Sequence, residues 1–203
     1  AAGAVVVDNS SAFRMKDDRN VSCYALAIDQ STRGANTANE LRQAWWARQA
    51  SGDDACDLAA GLAYLAKVLQ PADVWGKARL AIDAGQAGAA RAALELIDPS
   101  LSAQVAQLNS NPARFLNANA SSSASGAGSS FGPELAALAI IKIANTDADQ
   151  AAAAMGTHAA AMPAATRDWV WAAIARRAAL NLQDSASAYG KNVRNAAQLP
   201  PDW

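Results

Sequence analysis

The sequence of 203 residues is long enough for one large domain or a short run of repeats, and its formal net charge is −1. This charge offers no basic surface for nucleic acid, and charged or amide residues interrupt every apolar run before it reaches the length of a membrane span. Alanine supplies most of the hydrophobic residues, whereas aromatic residues make up only 6% of the chain. Because alanine favours helices and lets helix axes approach closely, the composition predicts an all-α protein.

The first clear helix signals lie between Thr37 and Asp53. Thr37 and Glu40 form a capping-box pattern, which predicts a helix that starts at Thr37 and runs through Arg48. Gly52 is expected to end this helix, and Asp53 is placed to cap the next one. The second helix then carries apolar residues at three- and four-residue spacing, which is typical of one buried face.

The following segments have the pattern of helical hairpins. Pro71 suits the first turn of a third helix, and Gly85 suits its left-handed end. A stripe containing Ala89 and Ala90 comes next, and the same order of helix, turn and closely spaced residues recurs at 143–152 and 180–189. We therefore expect a superhelical solenoid of stacked antiparallel helical hairpins, which forms a single domain over residues 1–203.

Residues 117–132 interrupt the hairpins with a Ser/Gly-rich stretch. Such a composition buries too little surface to offset its ordering entropy, so a flexible surface loop is expected, with a hinge or docking loop as the alternative. Pro133 then begins a strongly apolar helix that should be deeply buried. Thr166 is predicted to cap a later helix that carries Trp169.

The chain offers little material for catalysis. His158 is its only histidine and lies near the end of an alanine-rich helix, where a surface position is the simpler interpretation. Asp53, Asp54 and Asp57 fall in a first helical turn, where carboxylates interact favourably with the helix dipole. With no nucleophile–base pattern and no spacing typical of metal ligands, we predict no catalytic residue, no metal and no cofactor.

Two groups of tryptophans, Trp45–Trp46 and Trp169–Trp171, are the most suggestive aromatic features. Within each group the rings cannot share one helix face, so one ring should pack inward while the other is more exposed. Packing against a neighbouring hairpin is the simpler role for these rings. If any of them contacts a partner or a glycan, Trp46 and Trp171 are the candidates.

Cys23 and Cys56 are the only cysteines. Counted alone, they are equally compatible with two buried free thiols in a cytosolic protein and with one disulfide in an oxidising compartment. A bridge would stabilise the fold by roughly 3–4 kcal/mol in the chain-entropy description.

A longer pattern links these features. Cys56 near a helix start is followed by Trp75-Gly76-Lys77-Ala78-Arg79 and by the glycine–alanine hairpin at 85–90. In this order they resemble the helical U-shaped domain of soluble lytic murein transglycosylases. Cys23-Tyr24-Ala25-Leu26 is similar to the first cysteine motif of that family. Further segments resemble its later hairpins: 133–139, 147–152 and 169–177.

The resemblance implies a disulfide between Cys23 and Cys56 and a periplasmic location. Enzymes of this family cleave peptidoglycan between N-acetylmuramic acid and N-acetylglucosamine and leave anhydromuramic ends. Their single catalytic glutamic acid stands in a Glu-Ser pair of a C-terminal lysozyme-like domain. In this chain Glu40, Glu95 and Glu134 are each followed by leucine, so the resemblance assigns the catalytic domain to a part of the enzyme outside these residues.

We therefore expect a non-catalytic scaffold region of a longer protein, inactive alone, with that catalytic domain and peptidoglycan as its partners. Residues 199–203 look like the entry to another helix, which agrees with a fragment. The alternative is a tetratricopeptide-like helical repeat adaptor that binds a protein or a peptide in its concave face.

Overall fold

A computed structural model describes Cys23 and residues 25–26, 35–47, 54–124 and 131–200. Within these ranges the fold is all-helical and contains no strand, as the composition predicts. Ten α-helices are assigned bounds there: α1 (Ala35–Ala47), α2 (Asp54–Leu65), α3 (Pro71–Asp83), α4 (Ala87–Leu94), α5 (Leu101–Ser110), α6 (Pro112–Ala124), α7 (Gly132–Ala144), α8 (Ala148–His158), α9 (Ala164–Leu180) and α10 (Ala186–Gly190). Two short 3-10 helices follow α8 and α10. None of these helices is long and apolar enough to cross a lipid bilayer.

Several turn signals act as the sequence predicts. Pro71 occupies the first turn of α3, and Gly85 adopts a φ of 77° directly after that helix, a conformation that favours glycine. Asp147 caps α8, because its carboxylate accepts a hydrogen bond of 2.8 Å from the backbone N–H of Gln150. These local signals therefore place the turns of two predicted hairpins correctly.

The predicted caps at Thr37 and Thr166 are wrong. Helix α1 begins at Ala35, so Thr37 lies inside it and is buried. Helix α9 begins at Ala164, and the hydroxyl of Thr166 bonds to a distant helix instead of to its own N-terminus. The predicted helix end at Gly52 and the predicted cap at Asp53 lie outside the described residues.

The boundaries predicted for the Ser/Gly-rich loop are too wide. Helix α6 continues through Ala124, so residues 117–124 are helical, and Gly132 is the first residue of α7. Alanine, the strongest helix former, recurs at 118, 120 and 124 and favours the continuation of α6 into the predicted loop. Residues 125–130, which carry the glycines, lie outside the described residues.

Six of the helices pack as three pairs, each formed by two helices that follow one another in the chain. Helices α5 and α6 lie beside these pairs. Helix α3 contacts α4, α7 contacts α8, and α9 contacts α10. The first helices of these pairs also contact one another: α7 packs against both α3 and α9. Helices α5 and α6 cover another side of α7, and α1 lies against α2 and α3. Both α3 and α7 are therefore deeply buried, with ten and nine buried residues respectively.

Hydrogen bonds show that α3, α7 and α9 run in the same direction. Near their carboxyl ends, Asn145 donates from Nδ2 to the carbonyl of Ile82 at 3.0 Å. Arg176 and Arg177, in the last part of α9, both bond to the Asp83 carboxylate. Near their amino ends, Thr166 of α9 bonds to Glu134 of α7. The amino ends of α7 and α9 therefore lie together, and the carboxyl ends of both helices lie beside the carboxyl end of α3.

The two cysteines lie at disulfide distance. Their Cα atoms are 4.9 Å apart, both residues are fully buried, and Cys56 stands in the first turn of α2. A bond there would tie the helical residue Cys23 to α2. The pairing agrees with an extracytoplasmic location, where disulfides persist.

Candidate functional site

A cleft of about 740 Å³ opens beside helices α1, α3, α7 and α9. Its volume is in the range of small-molecule sites, and its walls combine aromatic, charged and small apolar side chains. The lining residues are Arg42, Gln43, Trp46, Ala72, Asp73, Trp75, Arg79, Glu134, Pro163, Ala165, Thr166, Trp169, Ala197 and Leu199. This cleft is the strongest candidate for a functional site among the described residues.

One wall of the cleft is the joint between α1 and α3. The indole Nε1 of Trp46 donates to the carbonyl of Asp73 at 2.9 Å, and Arg42 pairs with the Asp73 carboxylate at 3.3 Å. Gly76 makes the joint possible, because a Cβ atom there would lie only 2.9 Å from Cη2 of Trp46 and still closer to Cζ2. The indole of Trp46 thus fills the space that any other residue at 76 would occupy.

Trp45, the residue before Trp46, holds α1 in the same place through contacts on its buried side. Trp45 is 1% exposed, and its Nε1 donates to Asp57 at 2.7 Å. The ammonium of Lys77 is also buried and donates to the carbonyl of Trp45 at 2.7 Å. This bond joins the buried ammonium on α3 to the backbone of α1.

Two aromatic rings in contact, each covered by a guanidinium group, lie along the cleft. The rings of Trp46 and Trp169 meet edge to face with their centroids 5.4 Å apart. Arg42 lies 5.4 Å above the Trp46 ring, and Arg79 lies 5.1 Å above the Trp169 ring. Cation–π contacts of this kind hold long arginine side chains in defined positions.

Arg79, Glu134 and Thr166 join three helices at the floor of the cleft. Nη2 of Arg79 donates to Oε2 of Glu134 and, at 3.0 Å, to the hydroxyl of Thr166. That hydroxyl donates in turn to Oε1 of Glu134 at 2.8 Å. Both carboxylate oxygens of Glu134 are therefore engaged by guanidinium or hydroxyl donors, which fix its position between α3 and α9.

The Nε of Arg79 is buried and has no acceptor among the described residues. Buried donors without a protein acceptor are commonly met by ordered water or by a ligand.

The charges of the cleft balance. Its lining contains two arginines, Arg42 and Arg79, and two carboxylates, Asp73 and Glu134, and each arginine pairs with one carboxylate. A cleft with paired charges exerts little net pull on an ion, but it presents many hydrogen-bonding atoms.

The tryptophans divide as the sequence predicts. Trp45 and Trp169 are buried, whereas Trp46 and Trp171 are half-buried. The structure does not bring Trp46 and Trp171 together: Trp46 lines the cleft, while Trp171 stacks on Tyr189 with centroids 6.0 Å apart. A partner or glycan contact at either ring stays a prediction.

The remaining titratable residues have structural roles. His158 is the last residue of α8 and is half-buried, and this burial lowers the pKa of its imidazole below 6.5. Asp149 accepts a hydrogen bond from the hydroxyl of Tyr189, which raises the pKa of that phenol. Within the described ranges, no three His, Cys, Asp or Glu side chains are grouped to hold a metal ion.

Sequence reasoning missed most of the cleft. Thr166 was predicted as a cap, Trp75 and Arg79 entered only through the family resemblance, and nothing in the local sequence marks them or Glu134 as neighbours. The signal that could have suggested the network is the presence of arginine and glutamate in otherwise apolar helices, because charges on buried helix faces require partners.

Comparison of the chain with family models, with curated proteins and with solved structures found no match.

Proposed function

We propose that this chain is a non-catalytic scaffold region of a peptidoglycan-cleaving enzyme of the soluble lytic transglycosylase kind. In this proposal its hairpins stack into a superhelical solenoid that positions a catalytic domain beside the glycan strand. The observation that carries the proposal is the common direction of α3, α7 and α9: α3 bonds to α7 and to α9 near their carboxyl ends, and α7 bonds to α9 near their amino ends.

The common direction is what a stack of hairpins requires. If the first helices of all hairpins run in the same direction, the second helix of each hairpin runs antiparallel to them. Each hairpin can then repeat the contact that the preceding hairpin makes. The hydrogen bonds between the first helices recur at Asp83, Asn145 and Glu134, so the pairs are coupled rather than loosely adjacent. Such coupling suits a scaffold that holds another domain in a fixed place.

The cysteine pair supports the cellular setting of the proposal. Cys23 and Cys56 lie at disulfide distance, and a stable disulfide favours a compartment outside the cytoplasm. The periplasm is the compartment in which a peptidoglycan-cleaving enzyme meets its substrate, so we include it in the proposal.

The glutamates support a non-catalytic role. Glu40 and Glu95 are exposed on helix surfaces, and both oxygens of Glu134 are engaged by Arg79 and Thr166. None of the three stands in the Glu-Ser pair of the family's catalytic domain, so the glutamates agree with a scaffold region.

Two measurements test the proposal. The coding sequence beyond Trp203 should encode a lysozyme-like domain with a Glu-Ser pair, and a gene without such a domain would overturn the assignment to this enzyme family. Incubation of the 203-residue chain with purified murein should release no anhydromuropeptides in liquid chromatography with mass detection. Release of these products would show instead that the chain is itself catalytic.

The redox state separates the proposal from a tetratricopeptide-like adaptor. Protein isolated with thiols blocked should differ by two hydrogens in intact mass before and after reduction. Free thiols together with a protein partner that occupies the concave face would support the adaptor and contradict the periplasmic scaffold.

A further inference from the structure

We propose that the face of α9 between Ala165 and Ala179 is a groove for an extended, proline-containing peptide, and that Leu199 and Pro200 of this chain occupy its middle as an intramolecular ligand. This binding site goes beyond the scaffold role and does not depend on it. Two cavities, the conformation of Leu199 and the contacts of the segment 193–200 support it.

The two cavities lie along one continuous face of α9. The first part of this helix lines the cleft of about 740 Å³, and its later part lines a second cavity of about 530 Å³. The lining residues recur at spacings of four and three positions: Ala165, Trp169, Ala172, Arg176 and Ala179. This spacing places them on one side of the helix, over about 20 Å at a rise of about 1.5 Å per residue. An extended chain of about six or seven residues has the same length.

Leu199 divides this groove. Its side chain lines both cavities and is half-buried, and Pro200 after it is buried. The residues before it, 195–197, are exposed. The chain therefore places an apolar side chain between the two cavities and buries the proline beside it.

The backbone of Leu199 has the conformation of a polyproline helix. Its φ of −81° and ψ of 158° lie close to the values of about −75° and about 145° that define this conformation. Pro200 favours it, because a proline excludes the helical region for the residue before it. Grooves with aromatic walls bind such segments at low entropic cost, since the extended form exists before contact. Tryptophans 46, 75 and 169 supply aromatic walls in the cleft.

The polar groups of the cleft fit a neutral peptide backbone. Each arginine of the lining is already paired with a carboxylate, and an uncharged segment leaves both ion pairs in place. Gln43 is exposed at the rim of the cleft, and its amide can donate to a peptide carbonyl or accept from a peptide N–H. An uncharged, extended segment therefore suits the cleft.

Asp168 ties the segment that carries Leu199 to α9. Its carboxylate is in a residue that is only 5% exposed, and it accepts hydrogen bonds from the backbone N–H of Asn195 at 2.9 Å and of Arg194 at 3.3 Å. Because this tether lies four positions before Leu199, it keeps Leu199 and Pro200 beside the groove at a high effective concentration. A free peptide must therefore compete with an occupant that the chain itself supplies.

The experiment uses the full 203-residue chain and the acetylated, amidated peptide Ala-Gln-Leu-Pro-Pro, which repeats residues 197–201. Binding is followed through the indole N–H signals in ¹H–¹⁵N NMR spectra. We expect Leu199→Ser to bind this peptide at least about tenfold more tightly than the wild type, because the substitution weakens the intramolecular competitor. The bound peptide should shift the signal of Trp46 and leave that of Trp171 in place.

Leu180→Ser is the matched control, because it replaces an exposed leucine of α9 outside both cavities and should leave the affinity at the wild-type value. Leu199 lies outside the ten helices, and an unshifted Trp171 signal in Leu199→Ser shows that the fold is retained. Two altered peptides test the ligand, one with serine in place of leucine and one with alanine in place of both prolines. Each should bind at least about tenfold more weakly.

The inference is overturned if the peptide shows no saturable binding to Leu199→Ser, or if this variant binds it no more tightly than the wild type and Leu180→Ser do. Equal binding of the alanine-substituted peptide would overturn the requirement for proline. These outcomes leave the scaffold proposal standing, because that proposal depends on the downstream coding sequence and on the murein assay.

Discussion

At the scale of single residues, the contact between Gly76 and Trp46 sets how closely α1 approaches α3. The indole lies where a side chain at 76 would be, and its Nε1 bonds to the backbone of α3 at Asp73. Helix propensity alone would favour alanine over glycine at this position. Steric contact and helix propensity therefore act in opposite directions at Gly76, and a substitution can show which is larger.

We expect Gly76→Ala to lower the free energy of unfolding by about 1–3 kcal/mol, because the new methyl group must displace a packed indole. Urea denaturation followed by tryptophan fluorescence measures the change. Gly156→Ala is the matched control: Gly156 lies in α8 with no atom near its Cβ position, so alanine should stabilise the fold by about 0.5–1 kcal/mol. Stabilisation by both substitutions would contradict the proposed packing.

His158 gives a prediction for pH dependence. Burial lowers the pKa of its imidazole in the folded state, so the unfolded chain binds the proton more readily. The contribution of this residue to stability is therefore complete above pH 6.5 and is lost as the pH falls through the lower folded pKa. Because the chain has one histidine, its Cε1–H signal in an NMR titration reports the folded pKa without ambiguity.

The control for this titration is the same chain unfolded in denaturant, in which the imidazole should titrate near 6.5. His158→Gln should remove the loss of stability between roughly pH 7 and pH 5 that belongs to this group. A folded pKa at or above the unfolded value would mean that the dipole of α8, which favours the charged form, outweighs burial.

At the scale of helices, the Arg79–Glu134 ion pair is one of several polar contacts that join α3, α7 and α9. The side chain of Arg79 is 6% exposed and that of Glu134 is 18% exposed, so neither charge is fully hydrated. Removal of one partner leaves the other charge poorly solvated in the interior. Replacement of both partners by apolar side chains leaves no such charge.

We expect Arg79→Met to lower the free energy of unfolding by about 3 kcal/mol, because it leaves Glu134 without its ion-pair partner. The double variant Arg79→Met/Glu134→Leu should recover at least half of this loss. Chemical denaturation of the wild type, both single variants and the double variant completes the cycle. Additive losses would show that the two residues do not stabilise the fold as a pair.

At the scale of the whole molecule, the cysteine pair joins the amino-terminal part of the chain to α2. Cys23 and Cys56 are separated by 33 positions, so a bond between them closes a loop of moderate length. The main stabilising effect of such a bond is the lower entropy of the unfolded chain.

Reduction should lower the free energy of unfolding by roughly 3–4 kcal/mol in the chain-entropy description. Guanidinium denaturation with and without reductant measures the loss. Cys23→Ser/Cys56→Ser is the control, and its stability should not respond to reductant. An equal stability of the wild type under both conditions would contradict a disulfide.

The sequence by itself determined the helical class and several turns. Alanine content excludes a sheet core, while Pro71, Gly85 and Asp147 act on the backbone within one or two turns, so their effects are visible without tertiary contacts. The same local reasoning failed at Thr37 and Thr166, because a capping residue is defined by its own backbone conformation rather than by its identity alone.

Only the tertiary structure decided the cleft. Arg79 bonds to Glu134 and Thr166 across separations of 55 and 87 positions, and a local pattern carries no information about such pairs. The division of Trp46 and Trp171 between different surfaces has the same origin, since each ring is half-buried but meets different helices. Periodicity specifies which face of a helix is apolar, whereas the choice of its neighbour depends on how all the helices pack together.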